Sequence, residues 1–213
     1  MPLHEKHRPT TFDAMIGNPK AVAQCRRLAE SGIGGRAVWI SGPSSTGKTT
    51  AARILANGLA DRFCIREIDA GALTADTLRD WQSEACQYGW GKGGRAFIVN
   101  EAHGLRAPVI RTLLVWIEEL PRHVTLIFTT TLAGEEKLFD DQIDASPLLS
   151  RCSTVAFTNQ GIAAPFAARA REIALAEGLD GQPEAAYLKL ARECKGNLRM
   201  MLTRIQDGEM IAG

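Results

Sequence analysis

Residues 37–49, which run AVWISGPSSTGKT, decide the fold of this 213-residue chain. The first four residues form a short apolar run of the kind found in buried parallel strands. Residues 42–49 then match the pattern G-x-x-x-x-G-K-[ST] at every position. Glycines let backbone N–H groups turn inward around phosphates, and a helix that begins at the loop points its positive end at them. The stretch therefore predicts a phosphate-binding loop, with ATP and Mg²⁺ as its ligands.

The positions of this loop have separate expected roles. Lys48 is expected to place a positive charge by the β- and γ-phosphates, and Thr49 to offer its hydroxyl to Mg²⁺. We predict nucleotide contacts along the whole loop and from the residue after it: Gly42, Pro43, Ser44, Ser45, Thr46, Gly47, Lys48, Thr49 and Thr50.

Strand and helix patterns alternate on both sides of the loop. Further strands are predicted at residues 63–68, 96–99, 124–130 and 153–157, with helices at about 19–31, 47–60, 74–88 and 108–120. This alternation predicts an α/β fold with a parallel five-stranded sheet between helices. Residues 132–147 are predicted to form an acidic loop or a short helix.

The domain organisation follows from a change in pattern near residue 160, after which only helical spacing is seen. We predict a nucleotide-binding α/β domain at 1–158, which includes an extended arm at 1–20. A small all-helical domain is predicted at 159–213.

The bulk composition excludes several classes of protein. The net charge is +1, so any contact with nucleic acid must come from a local basic patch. The five cysteines are widely spaced and form no CxxC pair, which argues against a zinc site and a secreted disulfide framework. The sequence shows no apolar signal region and no membrane-spanning run. We expect a cytoplasmic protein, or a nuclear one in a eukaryote.

The predicted strand at 96–99 ends in Asn100 and Glu101, in the manner of a Walker B motif. The first position of that motif normally holds Mg²⁺ through water, and the second activates the attacking water. Here the first position is an amide, which accepts a hydrogen bond from a metal-bound water but supplies no negative charge. We therefore expect weaker Mg²⁺ binding through Asn100, with Glu101 as the catalytic carboxylate.

With these motifs in place, the chain resembles the AAA+ clamp-loader ATPases, namely the replication factor C small subunits and the bacterial clamp-loader ATPase subunits. The resemblance extends over nearly the whole chain, in order. It is carried by residues 5–9 (EKHRP), 12–17 (FDAMIG), 67–70 (EIDA), 150–152 (SRC) and 196–199 (GNLR). It implies an AAA+ P-loop NTPase fold with a helical lid domain.

Roles in the nucleotide site are implied by the same resemblance. In the family the N-terminal arm packs on the adenine, which implies contacts from Arg8, Ile16 and Gly17. The sensor 1 residue ends the fourth strand, which implies that Thr131, with Thr130 next, holds the attacking water or the γ-phosphate.

Two arginines complete the site that the resemblance implies. Arg151 of the SRC tripeptide is the implied arginine finger, acting in trans on the ATP of a neighbouring subunit. Arg199 is the implied sensor 2 residue, which reaches the γ-phosphate from the lid. The implied catalytic set is Lys48, Glu101, Thr131, Arg151 and Arg199.

The function implied is that of a hydrolase which turns over ATP in an oligomer of AAA+ subunits, in DNA replication or repair. The implied partners are a sliding clamp and primer–template DNA, with DNA contacts from Arg79, Arg106 and Arg111. Solvated helix faces are an equal alternative for these arginines. The four-cysteine zinc insert of the bacterial members is absent from the sequence, and we expect a short form without the collar domain.

Two other functions are left open by the sequence. Asn100 is compatible with a hydrolysis-impaired nucleotide-binding scaffold or switch subunit. Another AAA+ role, such as helicase loading or transposition control, is the weaker alternative.

Overall fold

The computed structural model describes residues 1–131 and 146–211. Its centre is a parallel sheet of five strands in the order β2-β3-β4-β1-β5. The strands are β1 (Arg36–Ser41), β2 (Ile65–Asp69), β3 (Arg95–Asn100), β4 (Val124–Thr130) and β5 (Cys152–Ala156). The predicted α/β fold with a parallel five-stranded sheet is confirmed. In such sheets ligands bind at the carboxyl ends of the strands.

Helices connect and flank the strands. Those within the first 150 residues are α1 (Leu3–Lys6), α2 (Pro19–Ser31), α3 (Lys48–Leu59), α4 (Ala75–Ala85), α5 (Ala107–Glu118) and α6 (Ser146–Leu149). Those after β5 are α7 (Ala163–Ala176), α8 (Glu184–Glu193) and α9 (Leu198–Gln206). The predicted loop or helix at 132–147 lies outside the described residues except where α6 begins.

Two hydrophobic cores cover the two faces of the sheet, because alternate strand residues point to opposite sides. On one face Phe97 stacks on Trp81 at a centroid distance of 4.9 Å and also contacts Trp116. On the other face Ile40 and Ile98 pack among the residues of α3. The sheet is therefore buried on both sides, which fixes the carboxyl ends of its strands in a rigid frame.

A third core joins helices α7, α8 and α9. Tyr187 is fully buried there, and its hydroxyl donates to Asp180 Oδ1 at 2.7 Å. The division of the chain at residues 158 and 159 stays a prediction, and this separate core supports it.

The arm at 1–20 departs from its predicted extended form, because residues Leu3–Lys6 make one helical turn. Leu3 is buried in the core of α7–α9, and its N–H donates to Gln206 Oε1 at 3.0 Å. This long-range burial, which local sequence does not reveal, explains the turn.

None of the helices in the described ranges combines the length and apolarity that a membrane crossing requires. Nor do residues 1–131 and 146–211 bring together three His, Cys, Asp or Glu side chains as a metal-binding group.

Candidate active site

A cleft of about 150 Å³ opens at the carboxyl end of the sheet. The phosphate loop leaves β1 and Glu101 leaves β3 at this edge, so both enter the cleft. The other walls are the arm, through His7, Arg8, Met15 and Ile16, and helices α7 and α9, through Phe166, Leu198 and Arg199. Most residues predicted for the nucleotide site are therefore brought together.

The phosphate loop has the backbone shape of an anion cradle. Gly42 and Gly47 have φ values of 140° and 103°, and Ser45 has a φ of 61°. A Cβ at Gly42 would lie 2.3 Å from the carbonyl oxygen of Phe157, so only glycine fits there. Ser45 Oγ is buried and has no hydrogen-bond partner among the described residues. The hydroxyl of Ser45 is therefore available to donate to a phosphate group, and the loop around it has the shape that binds the phosphates of a nucleoside triphosphate.

Lys48 begins α3 and is only 6% exposed. Its Nζ donates to the carbonyl oxygen of Pro43 at 2.7 Å, within the loop. Burial lowers the pKa of Lys48 to about 8; Glu101 opposes this shift and the nearby positive charge of Arg199 adds to it. Two cations therefore face one region of the cleft, where they would attract phosphate charge.

The depressed pKa of Lys48 predicts a pH dependence of ATP binding. Bound phosphates favour the charged ammonium and raise its pKa, so binding above pH 8 requires proton uptake. With a free pKa of about 8, the Kd for ATP without added Mg²⁺ is expected to rise about tenfold from pH 7 to pH 9. Isothermal titration calorimetry across this range measures it.

Lys48→Arg is the matched control, because a guanidinium stays charged throughout this range. Between pH 7 and pH 9 the Kd of the Lys48→Arg variant for ATP should change only by the amount that the ionisation of ATP itself causes. If the wild-type Kd followed the Lys48→Arg values from pH 7 to 9, the depressed pKa would be ruled out.

Asn100 lies beside Thr49 in the structure. Asn100 Oδ1 accepts from Thr49 Oγ1 at 3.4 Å and from Thr129 Oγ1 at 2.8 Å. Its Nδ2 donates to Glu67 Oε1 at 2.8 Å. The hydroxyl and amide oxygens of Thr49 and Asn100 are the hard ligands that suit Mg²⁺, directly or through water. Sequence reasoning missed Glu67 and Thr129 as neighbours of this position.

Glu101 lies at the rim of the cleft with a left-handed backbone, φ 50° and ψ 48°. Thr131 Oγ1 approaches Glu101 Oε2 at 3.4 Å, so the predicted sensor 1 residue and the predicted catalytic carboxylate are neighbours. Thr130, which was predicted to contact the nucleotide, does not line the cleft. Thr130 is fully buried, and its hydroxyl lies 3.2 Å from His103 Nδ1 rather than in the cleft. Strand alternation turns Thr129, not Thr130, toward Asn100.

The arm contributes two of its three predicted contacts to the cleft. Arg8 donates from Nη1 to Thr50 Oγ1 at 3.2 Å and pairs with Glu5, while Ile16 lines the wall. Gly17 instead packs under α7, where an added Cβ would lie 3.2 Å from Ile162 Cγ2. Met15 lines the cleft and was missed, since nothing in its immediate sequence separates it from a core residue.

The two predicted arginines occupy different places. Arg199 lies in the first turn of α9, which Asn197 caps by accepting from the N–H of Met200, and it lines the cleft. Arg151 lies just before β5, where its Nε donates to Glu118 Oε1 at 2.7 Å. Because β5 runs parallel to β1 with Cys152 beside Ala37, Arg151 is level with Arg36 and on the order of 20 Å from the start of its own phosphate loop. Arg151 does not line its own cleft.

The predicted DNA arginines are exposed on two helices that cover the same face of the sheet. Arg79 is exposed on α4 and paired with Asp76. Arg106 and Arg111 are exposed at the start and in the first half of α5, which packs against α4.

Comparison with curated proteins identifies relatives among replication proteins, although no family model matches the chain. The chain is 30% identical over 156 residues to DNA polymerase III subunit gamma/tau of Mycobacterium tuberculosis, a match covering 62% of this chain and 27% of the relative. It is 28% identical over 211 residues to the replication factor C large subunit of Methanothrix thermoacetophila, covering 95% and 42%. The chain thus spans less than half the length of these relatives.

Comparison with solved structures supports the fold. The Holliday junction branch migration motor RuvB of Thermotoga maritima superposes with a TM-score of 0.72 at 20% identity, over 93% of this chain and 64% of RuvB. A second RuvB structure from the same organism gives 0.73 at 20% identity, over 94% and 65%.

Proposed function

We infer that this chain belongs to the clamp-loader family of AAA+ proteins, and that it binds ATP with Mg²⁺ and hydrolyses ATP within an oligomer of AAA+ subunits. Its role would lie in DNA replication or repair. The observation that carries the proposal is the convergence of Lys48, Thr49, Glu101 and Arg199 on one cleft.

Each residue has a chemical task in this reaction. Lys48 Nζ leaves Pro43 to meet the β- and γ-phosphates, and Arg199 approaches the γ-phosphate from α9. Glu101 accepts a proton from the attacking water while the water oxygen bonds to the γ-phosphorus. The bond between the γ-phosphorus and the bridging oxygen breaks, and ADP leaves with that electron pair. Thr49 and Asn100 are the residues that would hold Mg²⁺, which would neutralise charge on the phosphates.

The proposed site is completed by a neighbouring subunit. Arg151 lies at the far end of the sheet from its own cleft and is exposed. An arginine in this position supports a contact in trans, in which the guanidinium stabilises the charge that develops on the phosphates. Turnover would then require assembly.

The proposed partners are other AAA+ subunits, a sliding clamp and primer–template DNA. The relatives' names place them in replication complexes, and the exposed arginines of α4 and α5 offer contacts to phosphates. The free thiols of all five cysteines support a reducing compartment such as the cytoplasm.

A turnover assay tests the proposal. ATP hydrolysis per chain is expected to rise with chain concentration and, further, with primed DNA. The stimulation by DNA should weaken as salt rises, because phosphate contacts release counterions. An Arg106→Ala/Arg111→Ala variant should keep the basal rate and lose most of the stimulation, whereas Arg27→Ala, an exposed change on α2, should not. A DNA effect that is absent, or identical in the double variant, would exclude these contacts.

A second candidate function is favoured by Asn100. An amide at the first Walker B position removes one negative charge from the metal side of the site, which suits a nucleotide-binding scaffold or switch. In that case ATP would bind tightly while turnover stayed absent at every concentration, with and without DNA.

A further inference from the structure

Both the oxygen and the NH₂ group of the Asn100 side chain make hydrogen bonds. Two hydroxyls, Thr49 Oγ1 and Thr129 Oγ1, donate to its Oδ1 at 3.4 and 2.8 Å. Its Nδ2 donates to Glu67 Oε1 at 2.8 Å. The register of the sheet brings Glu67 there, since β2 lies next to β3 with Asp69 beside Asn100.

Only one orientation of this amide satisfies all of its neighbours. A hydroxyl can donate or accept, so Thr49 and Thr129 alone would tolerate either end of the amide. An ionised carboxylate can only accept, so it requires the NH₂ group. Reversing the amide would place two oxygen atoms 2.8 Å apart. The choice between the two orientations therefore comes from Glu67.

Glu67 is itself fixed in place by Arg53. The guanidinium donates from Nε to Oε2 at 2.7 Å and from Nη2 to Oε1 at 2.9 Å, a bidentate contact from α3. Such paired contacts restrict a carboxylate more than a single ion pair does. Because Arg53 sits one helical turn after Thr49, one helix carries both the metal-side hydroxyl and the anchor of Glu67.

We propose that Glu67 is a positioning residue for Mg²⁺: it turns the amide of Asn100 so that Oδ1 faces Thr49. This inference rests on the proposed ATP·Mg²⁺ function. The charge of Glu67 also determines what an aspartate, the usual first Walker B residue, would do at position 100. Aspartate at position 100 would place its carboxylate next to the carboxylate of Glu67, and the two would repel each other. This substitution alone is therefore not expected to improve Mg²⁺ binding. The amide of Asn100 and the carboxylate of Glu67 are thus complementary as donor and acceptor.

A double-mutant cycle on the Mg²⁺ dependence of ATP affinity tests this pairing. The quantity is the ratio of the Kd for ATP in EDTA to that in saturating Mg²⁺, for wild type, Asn100→Asp, Glu67→Gln and the double variant. Asn100→Asp is expected to lower the ratio about tenfold, the usual effect of losing an outer contact to a metal ligand. Glu67→Gln is expected to lower it by less, because its amide oxygen can still accept from Asn100 Nδ2 but no longer excludes the reversed orientation. In the double variant the amide introduced at position 67 can donate to the carboxylate introduced at position 100. The ratio should then return at least to the wild-type value.

Two controls separate positioning from a structural effect. The Kd in EDTA should stay within about twofold in all variants, since the pairing acts on the metal side. Glu84→Gln removes another arginine-paired glutamate, bonded to Arg66 away from the cleft, and should leave the ratio unchanged. Additive single effects, with the double variant worst of all, would overturn the proposal.

A measurement without nucleotide keeps this inference separate from the proposed function. The side-chain NH₂ resonances of Asn100, identified by their loss in Asn100→Asp, should shift in Glu67→Ala because their acceptor is gone. Unchanged resonances would overturn the orientation by Glu67 even if ATP bound. Conversely, a wild-type chain that failed to bind ATP would refute the proposed function while these resonances still tested the pairing.

Discussion

Replacing Arg151 by alanine is expected to lower ATP turnover of the assembled protein about a thousandfold, the lower range for loss of an arginine finger. ATP binding by the isolated chain should change less than about twofold, since Arg151 lies at the opposite end of the sheet from its own cleft. Steady-state turnover at saturating chain concentration, alongside calorimetric ATP binding, measures both effects.

The control for Arg151→Ala is its ion-pair partner. Glu118→Gln weakens the same contact at Arg151 Nε but keeps the guanidinium. If Arg151 acts as a finger, Glu118→Gln should retain turnover. If both variants lost turnover equally, Arg151 would have only a structural role at the start of β5.

Glu101→Gln is expected to lower turnover about a hundredfold, because the amide cannot take the proton of the attacking water. The change preserves shape, so ATP and Mg²⁺ should still bind, and the bound ATP should persist. A single-turnover experiment with radiolabelled ATP separates the hydrolysis step from product release.

The matched control for Glu101→Gln is Glu119→Gln, an exposed glutamate at the end of α5. It should turn over ATP at the wild-type rate. A rate for Glu101→Gln within about twofold of wild type, where general-base loss should be far larger, would mean that another group activates the water.

The phosphate loop was predictable because its chemistry is local. Eight consecutive residues specify its turn, and the apolar strand before it and the helix after it follow from residue spacing alone. The order of strands and the parallel sheet follow from the alternation of patterns along the chain.

The surroundings of Asn100 were not predictable in this way. Glu67 lies 33 residues before Asn100 and meets it only through the register of β2 against β3. The choice between Thr129 and Thr130 depended on which face of β4 each residue occupies, and three successive threonines give no signal of face. Local sequence specifies what a site contains, whereas sheet register decides what lies beside it.

The helical turn at Leu3–Lys6 shows the same limit. Four residues of mixed polarity do not predict a helix by themselves. The turn forms because Leu3 is buried against residues that follow it by about 160 to 200 positions. A segment of this kind is determined by tertiary contacts rather than by propensity.

The most direct test of a site shared between two copies is a mixture of two inactive variants. Arg151→Ala keeps its own Glu101, and Glu101→Gln keeps Arg151 to offer to a neighbour. In an equal mixture, about one interface in four joins both intact groups, so turnover should recover to about a quarter of the wild-type rate. A mixture as inactive as either variant alone, under conditions where wild type turns over, would contradict the shared site.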